Sequence, residues 1–126
     1  MATTMEVGRK LADLLRSGKA LEAVDTLLSK EVVSVEAQES PEFPREAKGL
    51  AAVRGKNEWW FANHEVHAGH VQGPYPHGNR FALFLDYDVT PKAGPMAGKR
   101  MKMSEVALYT VQDGKITREE FFYSME

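Results

Sequence analysis

The sequence predicts an α+β fold in which helices cover one face of a curved, mainly antiparallel sheet. Apolar residues repeat at helical spacing early in the chain, and they alternate with polar residues along several later runs. Asp113 and Gly114 separate the last two runs, and this dipeptide is typical of a tight hairpin turn. Helices followed by a series of strands indicate an α+β domain rather than alternating α/β units.

Three helices are expected before the main strands. Gly18 separates two short apolar stripes, because glycine breaks a helical pattern. The first stripe is Met5, Val7, Leu11, Leu14 and Leu15, and the second is Leu21, Val24, Leu27 and Leu28. A third helix is predicted over 47–62, with a buried stripe of Leu50, Val53, Trp60 and Phe61. Since adjacent helical residues point apart, we expect one of Trp59, Trp60 and Phe61 to be exposed.

Extended segments are predicted over 31–38, 64–72, 80–90, 99–111 and 116–124. Pro41 and Pro44 exclude regular helix and central strand from the connection after the first of them. Alternation in the run 81–88 places Asp86 and Asp88 on one face, and the opposite face carries Phe81, Leu83, Leu85 and Tyr87.

The Asp113-Gly114 turn predicts a register for the final hairpin. A two-residue loop pairs Gln112 with Lys115 and Val111 with Ile116. Continuing outward without interruption pairs Val106 with Phe121. This register collects Val106, Leu108, Phe121 and Tyr123 on one face, and it puts Glu105, Tyr109, Arg118 and Glu120 on the other.

Composition bounds the function. The 126 residues suffice for one domain, 1–126, and their 43% hydrophobic and 27% charged content is ordinary for a globular protein. A net charge of −2 provides no basic field, and no apolar run approaches the roughly 20 residues of a membrane span, so neither nucleic acid nor membrane is expected as a partner. The absence of cysteine excludes disulfides and thiolate chemistry and suits a cytoplasmic protein.

Several of these features together resemble the nuclear-transport-factor-2-like superfamily, in its SnoaL-like branch. They are the helix pair broken at Gly18, the opening of the third helix at Lys48-Gly49-Leu50, and the closing pattern VALYTVQDGKITREEFFY. The resemblance implies a cone-shaped, cystatin-like barrel with a pocket between the helices and the concave face of the sheet. It also implies a homodimer formed through the convex face.

The resemblance further suggests which residues line the pocket and which could act in it. The expected lining is Leu11, Trp60, Phe81, Leu83, Leu85, Tyr87, Val106, Leu108, Phe121 and Tyr123. Ketosteroid isomerase, a relative in topology, uses a carboxylate base, a tyrosine and a protonated carboxylic acid. Matching its pattern puts Glu36, or Ala37 after a one-residue slip, at the base, Leu11 at the tyrosine, and a position on or near Val106 at the acid. Two of three parts are missing, which disfavours that mechanism.

Glu36 and His70 are the candidate catalytic residues. A Glu36 that faces the cavity would be a candidate base. If Val33 and Val35 face inward instead, Glu36 is a solvated strand residue, and the sequence leaves both orientations open. His64, His67 and His70 do not converge on one strand, because ligands there need i, i+2 spacing. The histidines therefore predict no metal site, although His70 or His64 could act singly.

The sequence thus predicts a domain that binds a small, mostly apolar organic molecule. Cofactor-free proton transfer, of the isomerase, cyclase or dehydratase type, is one possibility, and no cofactor is expected. A binding or interaction domain with a vestigial or filled pocket is the alternative.

Overall fold

The computed structural model describes residues 1–124, which form three helices and one six-stranded sheet. In chain order the elements are α1 (Thr4–Arg16), α2 (Ala20–Leu27), β1 (Leu28–Val35), β2 (Glu46–Lys48), α3 (Leu50–Ala62), β3 (His64–His77), β4 (Arg80–Pro91), β5 (Met101–Gln112) and β6 (Lys115–Phe122). The spatial order is β2-β1-β6-β5-β4-β3, with β1 parallel to β6 and the other neighbours antiparallel. The predicted α+β class is confirmed, and β2 is an element that the sequence did not reveal.

A capping box begins the first N-terminal helix, and a glycine separates it from the second. Thr3 caps α1 with a capping box: its side chain accepts from the backbone of Glu6, and the Glu6 carboxylate accepts from the backbone of Thr3. Gly18 has a φ of 70° between α1 and α2, a conformation that glycine adopts without steric cost. No helix among residues 1–124 has the length and apolar character needed to cross a membrane.

The core lies between the helices and the inner face of the sheet. Val7 and Leu11 of α1 meet Phe81 and Leu83 of β4 there, and all four are almost wholly buried. In α3, Val53 is the one fully buried residue. Phe61, which the sequence placed on the buried stripe, is exposed instead, so the expectation that one of the three adjacent aromatic residues is exposed is met by Phe61.

The final hairpin follows the predicted register only near its turn. Asp113 and Gly114 both have positive φ, 51° and 75°, and Val111 pairs with Ile116 as predicted. An irregularity then inserts one extra residue into β6, so Thr110 pairs with Arg118 and Val106 with Phe122. The register predicted beyond Thr117 is therefore wrong by one residue.

This shift reverses the faces of β5 relative to β6. Phe121 pairs with Ala107, and the inner face of β5 presents Glu105, Ala107 and Tyr109. Val106 and Leu108 lie on the outer face, where Val106 is 41% exposed. The prediction that Val106 and Leu108 line the interior is wrong, because alternation along a strand moves every side chain when the register slips by one.

Two helical glycines provide a matched test of the packing. A Cβ at Gly8 of α1 would lie 2.9 Å from Cβ of Pro74 and 3.2 Å from Cγ of Phe81, whereas a Cβ at Gly55 of α3 meets nothing within 4 Å. We expect Gly55→Ala to stabilise the protein by about 0.5–1 kcal/mol, because alanine favours helix. We expect Gly8→Ala to destabilise it by about 1 kcal/mol or more through overpacking. Urea unfolding measures both, and stabilisation by Gly8→Ala would contradict the packing of α1 on β3 and β4.

Candidate functional site

Glu36 directs its carboxylate into the cone. Ser34, two residues earlier, is fully buried on the inner face of β1, so Glu36 continues that face while Val33 and Val35 occupy the other. Lys56 Nζ donates to Glu36 Oε1 at 2.9 Å, and the Tyr123 hydroxyl donates to Oε2 at 3.0 Å. Of the two orientations that the sequence left open, the structure has the inward one.

Lys56 links α3 to the sheet through the same group. Its Nζ also donates to Ser34 Oγ at 2.6 Å, and it lies 5.3 Å from the centre of the Phe121 ring. Ser34 in turn donates to Glu119 Oε1 at 2.8 Å. A continuous chain of hydrogen bonds therefore connects five side chains, in the order Tyr123, Glu36, Lys56, Ser34 and Glu119.

Two interior carboxyl groups, that of Glu119 at the end of this chain and that of Glu105 outside it, have raised pKa values. Burial raises the pKa of Glu119, and the Lys56 charge and the Ser34 hydrogen bond oppose that rise. Burial raises the pKa of Glu105 to about 8, and the nearby charges of Glu36 and Glu119 contribute to the rise. Near neutral pH, Glu105 therefore holds its proton in most molecules. We call Glu36, Lys56, Glu105 and Glu119 the carboxylate cluster.

Aromatic side chains surround the carboxylate cluster. Tyr109 is stacked on Phe81 at 4.9 Å between ring centres, and Trp60 lies 5.8 Å from Tyr87. Burial raises the pKa values of Tyr87 and Tyr109, and carboxylate charges add to the rise. Burial and the adjacent Glu36 carboxylate raise the pKa of Tyr123, so these phenols remain neutral hydrogen-bonding groups at physiological pH.

The other predicted site residues lie in different places. His70 is exposed on β3 opposite Asp86, on the outer face of the sheet, so it is not part of the carboxylate cluster. His64 stacks on Trp60 at 4.3 Å and contacts the Trp60 carbonyl oxygen through Nδ1 at 2.8 Å. Four predicted lining residues are buried core residues that fill the cone rather than border open space: Leu11, Phe81, Leu83 and Leu85.

Two surface clefts lie away from the carboxylate cluster. One is bordered by residues 18–22 and Phe61, and the other lies between the start of α1 and the Asp113-Gly114 turn. Neither brings titratable groups into a shielded site. Among residues 1–124, no group of three or more His, Asp or Glu side chains is arranged to hold a metal ion.

Sequence reasoning missed Lys56, Glu105 and Glu119, although each of them carried a signal. Lys56 lies three residues after the buried Val53, so both share one face of α3. Glu105 lies four residues before Tyr109 on the same strand, which puts the two side chains on one face. Glu119 alternates with Phe121 and Tyr123, which the sequence placed on the inner face, so it also carried a signal.

Comparison with known proteins assigns the family. The SnoaL-like domain model matches residues 2–123, and the chain belongs to the SnoaL-like family, as the sequence features predicted. A protein from Mesorhizobium loti, named as a candidate SnoaL-like polyketide cyclase, is 43% identical with a TM-score of 0.89; the match covers 97% of this chain and 100% of that one. No curated protein matches the sequence.

More distant structures agree in fold alone. A SnoaL-like polyketide cyclase from Agrobacterium tumefaciens is 22% identical with a TM-score of 0.74, covering 99% of this chain and 94% of that one. A protein of cystatin-like fold from Xanthomonas campestris is 16% identical with a TM-score of 0.78, covering 98% and 92%. The predicted cystatin-like architecture is thereby confirmed.

The Glu105 carboxyl group predicts a pH dependence of stability. Its ordinary pKa of 4.5 applies to the unfolded chain, while the folded protein keeps the proton up to about pH 8. The folded state therefore binds more protons in this range, and stability falls as the pH rises from about 5 to about 8, by roughly 1 kcal/mol per pH unit. We expect Glu105→Gln to flatten this slope in urea unfolding at several pH values.

The matched control is Glu120→Gln. Glu120 lies on the outer face of β6, paired with Leu108 across the sheet, and forms an ion pair with Arg118. This variant should keep the slope of the unaltered protein. An unchanged slope in Glu105→Gln would contradict the proposed protonation of Glu105.

Proposed function

We propose that the protein binds a small, mostly apolar organic molecule in the cone interior and that Glu36 acts as the base in cofactor-free proton transfer. The orientation of Glu36 carries this proposal. Lys56 and Tyr123 each occupy one carboxylate oxygen and fix its direction. The side chain is 25% exposed, so a bound molecule can reach it. A base that is held in place and accessible meets the geometric requirement for proton abstraction.

The reaction class follows from what surrounds Glu36. Neutral phenols and a carboxyl group of raised pKa offer hydrogen-bond donors near the base, as proton transfer next to a carbonyl group requires. Isomerisation, cyclisation and dehydration all contain such a step. The relative from Mesorhizobium loti supports cyclisation within this class. Leu11 is a core residue of α1, so that helix supplies no tyrosine of the isomerase kind.

Deuterium exchange tests the catalytic part of the proposal. A panel of small ketones in D2O should incorporate deuterium next to the carbonyl group faster with the protein than without it, as followed by proton NMR. Glu36→Gln should lose this acceleration by about a hundred-fold or more, because it removes the base. Glu120→Gln on the outer face should retain it. Equal exchange by Glu36→Gln and the unaltered protein would exclude Glu36 as the base.

A non-catalytic binding or interaction domain is the second candidate function. The filling of the cone by Phe81, Leu83 and Leu85 favours it, because these side chains take the volume that a large ligand needs. Thermal denaturation with hydrophobic carboxylic acids, ketones and steroids separates the two. A ligand that stabilises the protein but undergoes no exchange would favour the non-catalytic function.

We also propose a homodimer through the outer face of the sheet. Phe84, Val106 and Phe122 form a row across β4, β5 and β6, and Val106 and Phe122 are largely exposed. A second copy turned by two-fold symmetry would cover this apolar row with its own.

Light scattering at micromolar concentration should give twice the monomer mass of 14.1 kDa. Val106→Asp should lower the mass toward that of the monomer, because it places a charge in the row. Val66→Asp, at an exposed valine on the edge strand β3, is the matched control and should leave the mass unchanged. A monomeric mass for the unaltered protein would overturn the dimer.

A further inference from the structure

Ser34 and Glu119 form the buried end of the hydrogen-bond chain that leads to Glu36. We propose that these two side chains are positioning residues for the Glu36 base, because they hold Lys56 in the place from which it directs the Glu36 carboxylate. This inference rests on the proposed role of Glu36 and extends it to two residues that are buried behind the site.

The Ser34 hydroxyl group is oriented by Glu119. Its oxygen accepts from Lys56 Nζ at 2.6 Å, and its proton is donated to Glu119 Oε1 at 2.8 Å. A serine hydroxyl has one proton to donate, and that proton rotates toward an available acceptor. Since Glu119 takes the proton, the lone pairs of Oγ face the ammonium group. Without this acceptor the hydroxyl proton would be free to turn toward Lys56, where it opposes another donor.

The pairing of β1 with β6 fixes this contact. Ser34 is the direct partner of Glu119 in the parallel pair of strands, so the two side chains leave the sheet side by side. Glu36 lies two residues after Ser34 on the same face, and Lys56 therefore reaches both from α3. The backbone thus determines where Ser34 Oγ lies, and Oγ determines where Lys56 Nζ lies.

Exposure increases along the chain from Glu119 to Glu36. Ser34 is fully buried, and Glu119 is 6% exposed. The side chain of Lys56 is 12% exposed and that of Glu36 is 25% exposed. A bound molecule therefore meets Glu36, while the two buried residues act on the base only through Lys56.

The flexibility of a lysine side chain explains why this anchoring matters. Lys56 carries its charge on a flexible stem of four carbons, and its three donors have no fixed direction of their own. Two contacts restrain it besides Glu36: the hydrogen bond to Ser34 Oγ and the Phe121 ring, 5.3 Å from Nζ. A loosened Lys56 would leave Glu36 Oε1 without a fixed donor. Misplacing a catalytic group slows the chemical step even when the substrate still binds.

Deuterium exchange into ketones measures the catalytic consequence. Ser34→Ala and Glu119→Leu should each lower the maximal exchange rate by about ten-fold, a smaller loss than in Glu36→Gln. The ketone concentration that gives half of the maximal rate should stay unchanged, because the position of the base affects proton transfer and not binding. Glu119→Gln keeps an oxygen that can accept the Ser34 proton, so it should recover most of the rate lost in Glu119→Leu.

A double variant tests whether the two residues act as one unit. Ser34→Ala combined with Glu119→Leu should lose no more rate than either single variant, since each single variant already breaks the same contact. The double variant also replaces the polar pair by an apolar pair, so neither partner is left buried without the other.

The matched control is Ser104→Ala. Ser104 of β5 donates to the Asp86 carboxylate on the neighbouring strand β4, so the variant removes the same kind of hydrogen bond from the outer face of the sheet. It should keep the exchange rate of the unaltered protein.

The Lys56 ammonium group can also be followed without any activity. In proton–nitrogen correlation NMR, its signal is the lysine ammonium signal that disappears in Lys56→Arg. The ammonium protons should exchange with water about ten-fold faster in Ser34→Ala than in the unaltered protein, because one of their acceptors is gone.

The outcomes separate this inference from the proposed function. If Ser34→Ala and Glu119→Leu keep the full exchange rate while Glu36→Gln loses it, the positioning role is overturned and the proposed function stands. If the unaltered protein does not accelerate exchange, the catalytic role of both residues falls together with the proposed function. Unchanged ammonium exchange in Ser34→Ala overturns the anchoring of Lys56 in either case.

Discussion

Lys56 brings one ammonium group into contact with side chains from separate parts of the chain. It donates from α3 to Ser34 on β1 and to Glu36 just after β1, and through Ser34 it connects to Glu119 on β6. Burying carboxyl groups is costly unless opposite charge or hydrogen bonds compensate. The ionic contacts of Lys56 thus determine how three acidic side chains can share one interior, and they attach α3 to the parallel pair of strands.

The inner surface of the sheet has an apolar part and a polar part. Toward α1, Phe81 and Leu83 pack with Val7 and Leu11 into an apolar core. Toward α3, the same surface carries ionisable groups surrounded by aromatic rings. The apolar wall beside the polar cluster raises the pKa of Glu105 and Glu119 and keeps the phenols neutral, because both effects come from exclusion of water. The fold therefore provides an interior with little water, and individual side chains on the SnoaL-like frame determine its polarity.

Helix periodicity and turn chemistry were sufficient to predict most of the fold from the sequence. The break at Gly18 and the turn at Asp113-Gly114 are local properties of glycine and its neighbours, which is why they were predicted correctly. The extra residue near Thr117 is different, because both registers bury apolar side chains and only packing against β5 selects one. Because of this error of one residue, the predicted interior contained Val106, whereas the structure has Glu105 there.

The candidate site was predictable only in part for a related reason. Glu36 was recognised by matching the ketosteroid isomerase pattern, but its direction depends on Lys56, a residue distant in sequence. A lysine in a helix is ordinarily predicted to face solvent, so Lys56 was not predicted to be part of the site. Ionic partners that converge from different elements leave no periodic trace, and their assembly is a property of the tertiary structure.

The sparse burial of α3 has a consequence for how a molecule would reach the cone under the proposed function. This helix contributes one fully buried side chain, Val53, whereas α1 contributes four buried residues and α2 three. Segments with little buried apolar surface open at a lower free energy than the rest of a protein. Transient lifting of α3, with rupture of the Lys56 contacts, would uncover the carboxylate cluster while the core under α1 stays intact. Amide hydrogens of α3 would then exchange with solvent ahead of those in α1, and the helix would serve as the entrance to the site.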